Sequence, residues 1–273
     1  MMQIAIIGCG WLGQPLALAL QQKGHSLLVT CRSSARQQAL QALGLDCHQL
    51  TLGNEIEQDL QDKLAAADAI IVCIPPGRKN FDAKRYVAAH QQLYDKLLVR
   101  PSTHLLFIST TAVYGDSYGK VTEHTELSPN TASGFAHQTI EQYLHSHFPK
   151  QTSVLRLAGL VGPDRHPAKH LAGRIDIPEG EQAVNLVHQA DVISAIDAII
   201  AGAHWGQLFH LSAFEHPSRH DYYSWACQKL GLNPPSFLIE DNKQCASGKI
   251  VDATWTIKQL GLSLRYASPY HMV

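Results

Sequence analysis

Apolar and polar residues alternate along this chain in two periods, one of strands and one of helices. Strands read at 3–7, 26–30, about 46–51, 69–74, 104–109, 152–157 and 207–211. Between them, apolar residues recur every three to four positions, predicting helices at about 12–23, 34–43, 55–66, 81–99, 134–147, 188–202 and 218–231. Strand–helix alternation of this kind builds βαβ units and a parallel sheet with helices on both faces. The run Ala69-Ile70-Ile71-Val72-Cys73-Ile74 is apolar at every position, as a strand buried on both faces must be, and Pro75-Pro76-Gly77 ends it. The expected fold class is therefore α/β, a doubly wound, Rossmann-like parallel sheet of about seven strands. After residue 160 the pattern weakens. Gly162-Pro163-Asp164-Arg165-His166-Pro167 is a turn-rich break, and 162–187 and 212–273 promise only short elements. No linker, repeat or low-complexity tract divides the chain. The organisation predicted is one unit over 1–273, with a dinucleotide-binding core at 1–160. The remaining core elements and a small C-terminal substrate lobe occupy 161–273.

The first strand runs into Gly8-Cys9-Gly10-Trp11-Leu12-Gly13, and a helix with Leu16, Ala17 and Leu20 on one face follows. This Gly-x-Gly-x-x-Gly turn in a strand–turn–helix context is a dinucleotide fingerprint. Gly8 permits the tight turn, Gly10 lets a pyrophosphate approach the backbone, and Gly13 lets helix and strand pack closely. Trp11 and Leu12 complete the loop, whose helix N-terminus presents N–H groups and partial positive charge to phosphates. An acidic residue that would bind the ribose 2′-hydroxyl is expected about 20 residues on. The second strand is followed instead by Cys31-Arg32-Ser33-Ser34-Ala35-Arg36. Arg32 and Arg36, with Ser33 between, suit a 2′-phosphate, which a carboxylate would repel. NADP(H) is favoured over NAD(H). In such sheets the ligand lies at the carboxyl ends of the strands, so Ile74, Pro75, Pro76 and Ser109 join the cofactor set.

Composition narrows the class further. The chain has 273 residues, 45% hydrophobic, and a formal net charge of −1. Near-neutral charge argues against nucleic acid or an anionic membrane as main partner. No apolar run approaches the ~20 residues of a membrane span, and the first residues read as a core strand rather than a signal, so a cytoplasmic protein is expected. The six cysteines (Cys9, Cys31, Cys47, Cys73, Cys227, Cys245) form no Cys-x-x-Cys and read as reduced thiols, with Cys9 favoured as a thiolate by its place at a helix N-terminus. Among sixteen histidines, His166 and His170 have helical ligand spacing and His145 and His147 stand two apart, but no acidic or cysteine partner completes a metal set. No metal is expected. The expected partners are a small-molecule substrate of unknown identity and, as one option, a second copy of the chain in a homodimer.

Four segments together resemble the extended short-chain dehydrogenase/reductase superfamily, the NAD-dependent epimerase/dehydratase group. They are the glycine turn; Leu106-Phe107-Ile108-Ser109-Thr110-Thr111-Ala112-Val113-Tyr114-Gly115-Asp116; Leu155-Arg156-Leu157-Ala158-Gly159-Leu160-Val161-Gly162-Pro163; and Asn185-Leu186-Val187-His188-Gln189-Ala190-Asp191-Val192. The resemblance implies that Thr110, four residues before Tyr114, hydrogen-bonds the reacting carbonyl or hydroxyl. It also implies that dehydration is disfavoured, because Thr111 and Ala112 stand where the dehydratases carry Asp-Glu. The family's Tyr-x-x-x-Lys pair, where the Tyr passes a proton and the Lys lowers its pKa and binds the nicotinamide ribose, falls on Ser133 and His137 when Ser128-Pro129, Gly134 and Glu141 are aligned. A serine hydroxyl is a far weaker acid than a phenol. Three readings follow: an NADP(H)-dependent reductase or epimerase-like enzyme in which Tyr114 or His137 supplies the proton beside Thr110; an NADP(H)-binding sensor or regulatory module without turnover; and an intact nucleotide-sugar epimerase, which Ser133 disfavours. Arg165 and Arg174 are candidates for contact with an anionic substrate.

Overall fold

The computed structural model describes residues 1–77, 81–238 and 248–273. In chain order the elements are β1 (Gln3–Ile7), α1 (Gly13–Gln22), β2 (Ser26–Cys31), α2 (Ser34–Gln41), β3 (Asp46–Gln49), α3 (Gln58–Ala66), β4 (Ala69–Val72), α4 (Ala83–Leu97), β5 (His104–Thr110), β6 (Gly119–Val121) and α5 (Ala132–His147). The order continues with β7 (Thr152–Leu157), β8 (Gly159–Val161), α6 (Ala168–Leu171), β9 (Leu186–His188), α7 (Gln189–Ala201), β10 (Leu208–Leu211), α8 (Arg219–Lys229), β11 (Lys249–Val251) and α9 (Thr254–Gln259).

The seven strands read from the sequence are the seven strands of one sheet, ordered β10-β7-β5-β4-β1-β2-β3. β1 pairs in parallel with both β2 and β4. The chain winds outward from β1 through β2 to β3, then returns to the other side of β1 as β4. That reversal opens a crevice outside the carboxyl ends of β1 and β4, where open α/β sheets bind ligands. β4 is buried at every position and ends at Val72, two residues short of the expected end; Cys73 N still donates to Ile7 O at 2.8 Å, and Pro75 and Pro76, without N–H, carry no ladder further. The short pairs β6–β11 and β8–β9 were not read from the sequence, since three residues are too few to show alternation.

Helix starts follow local chemistry. Ser33 caps α2 by accepting from Arg36 N, Asp82 caps α4 by accepting from Arg85 N, and Thr131 caps α5 by accepting from Gly134 N. Thr131 starts α5 two residues earlier than the apolar period alone suggests, which puts Ser133 in its first turn.

Two compact units are present. One gathers 1–113, 129–156 and 196–209. Its core packs Ala5 and Ile7 of β1, Val72 of β4, Leu93, Tyr94 and Leu97 of α4, Phe107 of β5 and Ile140 and Leu144 of α5. The other gathers 114–128, 157–195 and 210–273. Its core packs Val161, Ala168, Leu186, Tyr222, Ala226 and Cys227. Within it, buried Asp191 accepts from Arg265 N at 2.7 Å and Tyr266 N at 3.0 Å, which accounts for the acid of the Gln189-Ala190-Asp191-Val192 segment as a loop anchor.

Cys9, Cys31, Cys47, Cys73 and Cys227 are free thiols; Cys245 lies outside the described residues. Among the described residues no helix is long and apolar enough to cross a membrane, and no group of three or more metal-ligating side chains is gathered. His166 spends both ring nitrogens locally, one on Tyr222 Oη at 2.9 Å and one accepting from Ala168 N at 3.2 Å.

Burial has a consequence for acid stability. It lowers His90 to about 3 and His137 and His166 to about 4, from an ordinary 6.5. The unfolded chain therefore binds protons that the native state refuses as pH falls below about 6.5. Stability is complete above that pH and is lost toward pH 4. Urea unfolding at pH 7.5 and pH 5.0 should show a loss of about 2 kcal/mol for each of these histidines. Stability that is flat or rising over this interval would contradict their burial as neutral rings.

Candidate functional site

The carboxyl end of β1 is shaped by two contacts that leave no room for side chains. Gly8 has φ +94°, and a Cβ there would lie 3.0 Å from Ile74 Cγ1 and 3.1 Å from the Cys73 carbonyl carbon. A Cβ on Gly13 would lie 2.8 Å from Gly8 O. Gly10 differs: a Cβ there meets nothing nearer than Gly8 O at 3.9 Å, so space is open above the loop. The turn is pinned to β2, with Gly8 N donating to Thr30 Oγ1 at 3.3 Å and Cys9 N to Thr30 O at 2.7 Å. No side chain caps the N-terminus of α1 and no acid stands in its first turn. Trp11 is half-buried and Leu12 buried. An open cradle over Gly10, beside an uncapped helix N-terminus, fits the pyrophosphate of a dinucleotide.

Arg36 reaches this turn. Its Nε donates to Cys9 O at 3.4 Å and an Nη to Gln14 Oε1 at 2.6 Å, so the guanidinium is held beside the glycine loop rather than in solvent. Arg32 is exposed, and Ser33 serves as the α2 cap. Gln14 is a residue the sequence reading missed; its place one residue into α1 was the available signal. Across the crevice, Ile74 is half-buried, Pro75 exposed and Pro76 half-buried. Tyr86 of α4 fixes this segment by donating from Oη to Ile74 O at 2.7 Å.

Cys9 departs from expectation. It is 1% exposed, and burial pushes its thiol up to about 11 against the opposing pull of Arg36. Desolvation outweighs the helix N-terminus, so Cys9 is a thiol at neutral pH and not an activated thiolate.

The second part of the site lies between β5, α5 and β7. Thr110 ends β5, and its Oγ1 accepts from Ala112 N at 3.1 Å, which leaves the hydroxyl proton to donate. The first turn of α5 packs against this segment: a Cβ on Gly134 would lie 3.0 Å from Ala112 O. Ser133 is half-exposed in that turn, its Oγ 3.4 Å from Thr131 Oγ1. His137 follows one turn later on the same face. Its ring is 4% exposed, stacks on Phe107 with centroids 5.4 Å apart, and lies 6.0 Å from Tyr86. Burial rules out the cationic form the family's lysine would supply, since it lowers the imidazole to about 4.

Two other expectations are corrected. Ser109, expected at the cofactor, is 4% exposed and its hydroxyl is spent on a buried network, donating to Glu141 Oε1 at 2.5 Å with His137 Nδ1 at 3.4 Å. Tyr114 was an alternative proton donor, but its ring is fully buried and its Oη lies 2.9 Å from His210 Nδ1 in the second unit. His210 Nε2 in turn faces Asp252 O at 2.8 Å, so it is the donor there, and Nδ1 accepts the Tyr114 proton. A packed tyrosine whose proton is committed is a structural element.

Glu141 and Arg156 are the members the sequence reading used only as landmarks. Arg156 Nε lies 3.0 and 3.2 Å from the two carboxylate oxygens, an Nη lies 2.6 Å from Oε2, and both side chains are about 95% buried. A charged residue between Leu155 and Leu157 in a strand buried at every position is the signal in the sequence. Arg165 and Arg174 are exposed residues of the second unit.

The model of the NAD dependent epimerase/dehydratase family matches residues 4–207. Protein YeeZ of Escherichia coli K12 is 36% identical over 274 residues, spanning 100% of this chain and 99% of its own. The Bacillus subtilis protein described as uncharacterized UDP-glucose epimerase YtcB is 27% identical over 60% of this chain and 59% of its own. Among solved structures, a UDP-glucuronic acid 4-epimerase from Bacillus cereus in complex with NAD superposes with TM-score 0.80 at 20% identity, covering 99% of this chain and 96% of that one. A conserved protein of unknown function from Silicibacter pomeroyi gives 0.77 at 23%, covering 100% and 96%.

Two glycine substitutions should separate folding from binding. Gly13→Ala drives a methyl into Gly8 O and should cost about 1–3 kcal/mol in urea unfolding. Gly10→Ala should leave stability within about 0.5 kcal/mol while weakening dinucleotide binding at least tenfold by fluorescence titration. Equal effects of the two on stability would refute the assigned roles. Peptide mapping after iodoacetamide treatment at pH 7 should find Cys9 unmodified in the folded protein; rapid alkylation would restore the activated-thiolate view.

Proposed function

Because the chain belongs to the NAD dependent epimerase/dehydratase family, we propose that it is an NADP(H)-binding oxidoreductase- or epimerase-like protein whose proton-transfer residues differ from the family's Tyr-x-x-x-Lys pair. The observation that carries the cofactor part is Arg36, held to Cys9 O and Gln14 Oε1 beside the glycine loop with no acid at the end of β2. A guanidinium there favours a 2′-phosphate through charge-assisted bonds, and Arg32 adds a second positive charge. Gly10 receives the pyrophosphate in the turn that Gly8 and Gly13 make possible, and Ile74, Pro75 and Pro76 border the crevice at the end of β4.

When bound, the nicotinamide supplies hydride exchange with a carbinol or carbonyl carbon. The chain's own part is to orient that carbon and its oxygen. Thr110 donates its hydroxyl proton to the oxygen. Ser133 is too weak an acid to replace a phenol. Epimerases among the structural neighbours support a nucleotide-sugar substrate class, and the altered pair supports slow chemistry. A sensor or regulatory module that holds NADP(H) without turnover is the second reading, favoured by the neutral His137. A soluble cytoplasmic protein, acting on a small molecule and able to form a homodimer, fits either reading.

Fluorescence titration of the purified protein should give NADPH at least tenfold tighter than NADH, about 1.4 kcal/mol. Arg36→Ala should remove most of that difference while leaving the NADH constant within about twofold. Equal constants for the two cofactors in the parent protein would sink the NADP(H) assignment.

A further inference from the structure

The buried cluster behind Thr110 has a hydrogen-bond direction that can be worked out atom by atom. Glu141 faces the Arg156 guanidinium with both oxygens, at 2.6 to 3.2 Å, so its carboxylate is an acceptor only. Ser109 has one hydroxyl proton, and it goes to Glu141 Oε1 at 2.5 Å. What remains on Ser109 Oγ is a lone pair. His137 Nδ1, 3.4 Å away, therefore faces an acceptor and must carry the ring's proton. A neutral imidazole has one proton, so Nε2 is left bare. No hydrogen bond joins Nε2 to another group among the described residues.

We infer that the series Arg156–Glu141–Ser109 locks His137 in its Nδ1–H tautomer and thereby makes Nε2 a fixed hydrogen-bond acceptor for a hydroxyl of the bound ligand, at the helix position where the family's lysine donates. This rests on the dinucleotide reading above for the identity of the ligand, and it reverses the polarity of that position.

The groups packed around the ring support a neutral acceptor. Tyr86 of α4 and Phe107 and Ser109 of β5 touch the ring, His90 of α4 lies near enough to interact with its charge, and Glu141 of α5 and Arg156 of β7 stand behind Ser109. His90 is itself fully buried, with Nδ1 2.8 Å from Tyr94 Oη. The formal charges in this set are the Glu141–Arg156 pair, which satisfy each other. The ring thus gains no uncompensated anion to hold a second proton, while burial opposes one. Position supports the ligand end. Tyr86, 6.0 Å from the His137 ring, bonds Ile74 O, and Ile74 Cγ1 lies against Gly8. His137 is two side-chain contacts from the dinucleotide turn, on the switch-point side of the sheet. A bare imidazole nitrogen there accepts a hydrogen bond from a ligand donor. The ribose of the cofactor and a substrate carbinol both offer that chemistry.

The direct test is nitrogen NMR of protein labelled at the histidine rings, with the His137 signals assigned by their loss in His137→Gln and by ring contacts to Phe107. The expected result is a protonated Nδ1, a bare Nε2 and no titration between pH 5 and 8. Saturating NADPH should move the Nε2 resonance upfield if the ribose hydroxyl is the donor; movement only after UDP-glucose joins NADPH assigns the donor to the sugar. Ser109→Ala should convert the single tautomer to a mixture while circular dichroism stays near the parent's. A protonated Nε2, a ring that titrates near 6.5, or an unmoved Nε2 with NADPH demonstrably bound and UDP-glucose added would each overturn the inference. Failure of NADPH to bind at all, with the tautomer as expected, would instead strike the cofactor reading.

Discussion

Two missing methyl groups govern the ligand-binding end of the sheet. Gly8 and Gly13 sit where backbone meets backbone at 2.8 to 3.1 Å from any added Cβ, and that approach lets α1 begin directly over the end of β1. Everything at the crevice is referred to this junction. β4 lies alongside because Cys73 N bonds Ile7 O at 2.8 Å. β2 delivers Thr30 to the turn from the other side, and α2, which follows it, brings Arg36 over it. A sheet that reverses its winding between β1 and β4 leaves the site open at the same place, so topology and sterics converge on one crevice.

The second half of the site is organised by a cost. An ion pair as buried as Glu141 with Arg156 gains little net stability over an apolar replacement, while removal of one partner alone would strand a buried charge at about 3–5 kcal/mol. The pair repays this by direction. It fixes which way the Ser109 proton points and hence which nitrogen of His137 is bare. Under the proposed reading, the helix keeps the family's spacing of four residues and offers a weakly acidic hydroxyl at Ser133 and a neutral ring at His137 where the family carries a phenol and an ammonium.

Much of this was legible from residue order alone. β1, the glycine turn and α1 declare themselves because each glycine answers a local demand, and β4 because apolar residues fill every position. The seven sheet strands could be read from their place in the strand–helix alternation; β6, β8, β9 and β11, at three residues each, are too short. What could not be read was burial. Cys9 looks activated beside a helix N-terminus until desolvation is counted, and Tyr114 looks like a proton donor until His210, nearly a hundred residues on, takes its proton. Ser109 likewise turns inward to Glu141, a partner on another element. Glu141 and Arg156 were legible only as members of segments that resemble the family, because their pairing depends on three-dimensional proximity that no local pattern encodes.

A crystal structure of the protein with NADPH bears most directly on the central claim, that this crevice is a dinucleotide site read by Arg36. The account predicts the pyrophosphate over Gly10 at the N-terminus of α1, with the 2′-phosphate within hydrogen-bond distance of the Arg36 guanidinium. An adenosine seated elsewhere, or a 2′-phosphate turned to solvent with Arg36 still bound to Gln14, would contradict it.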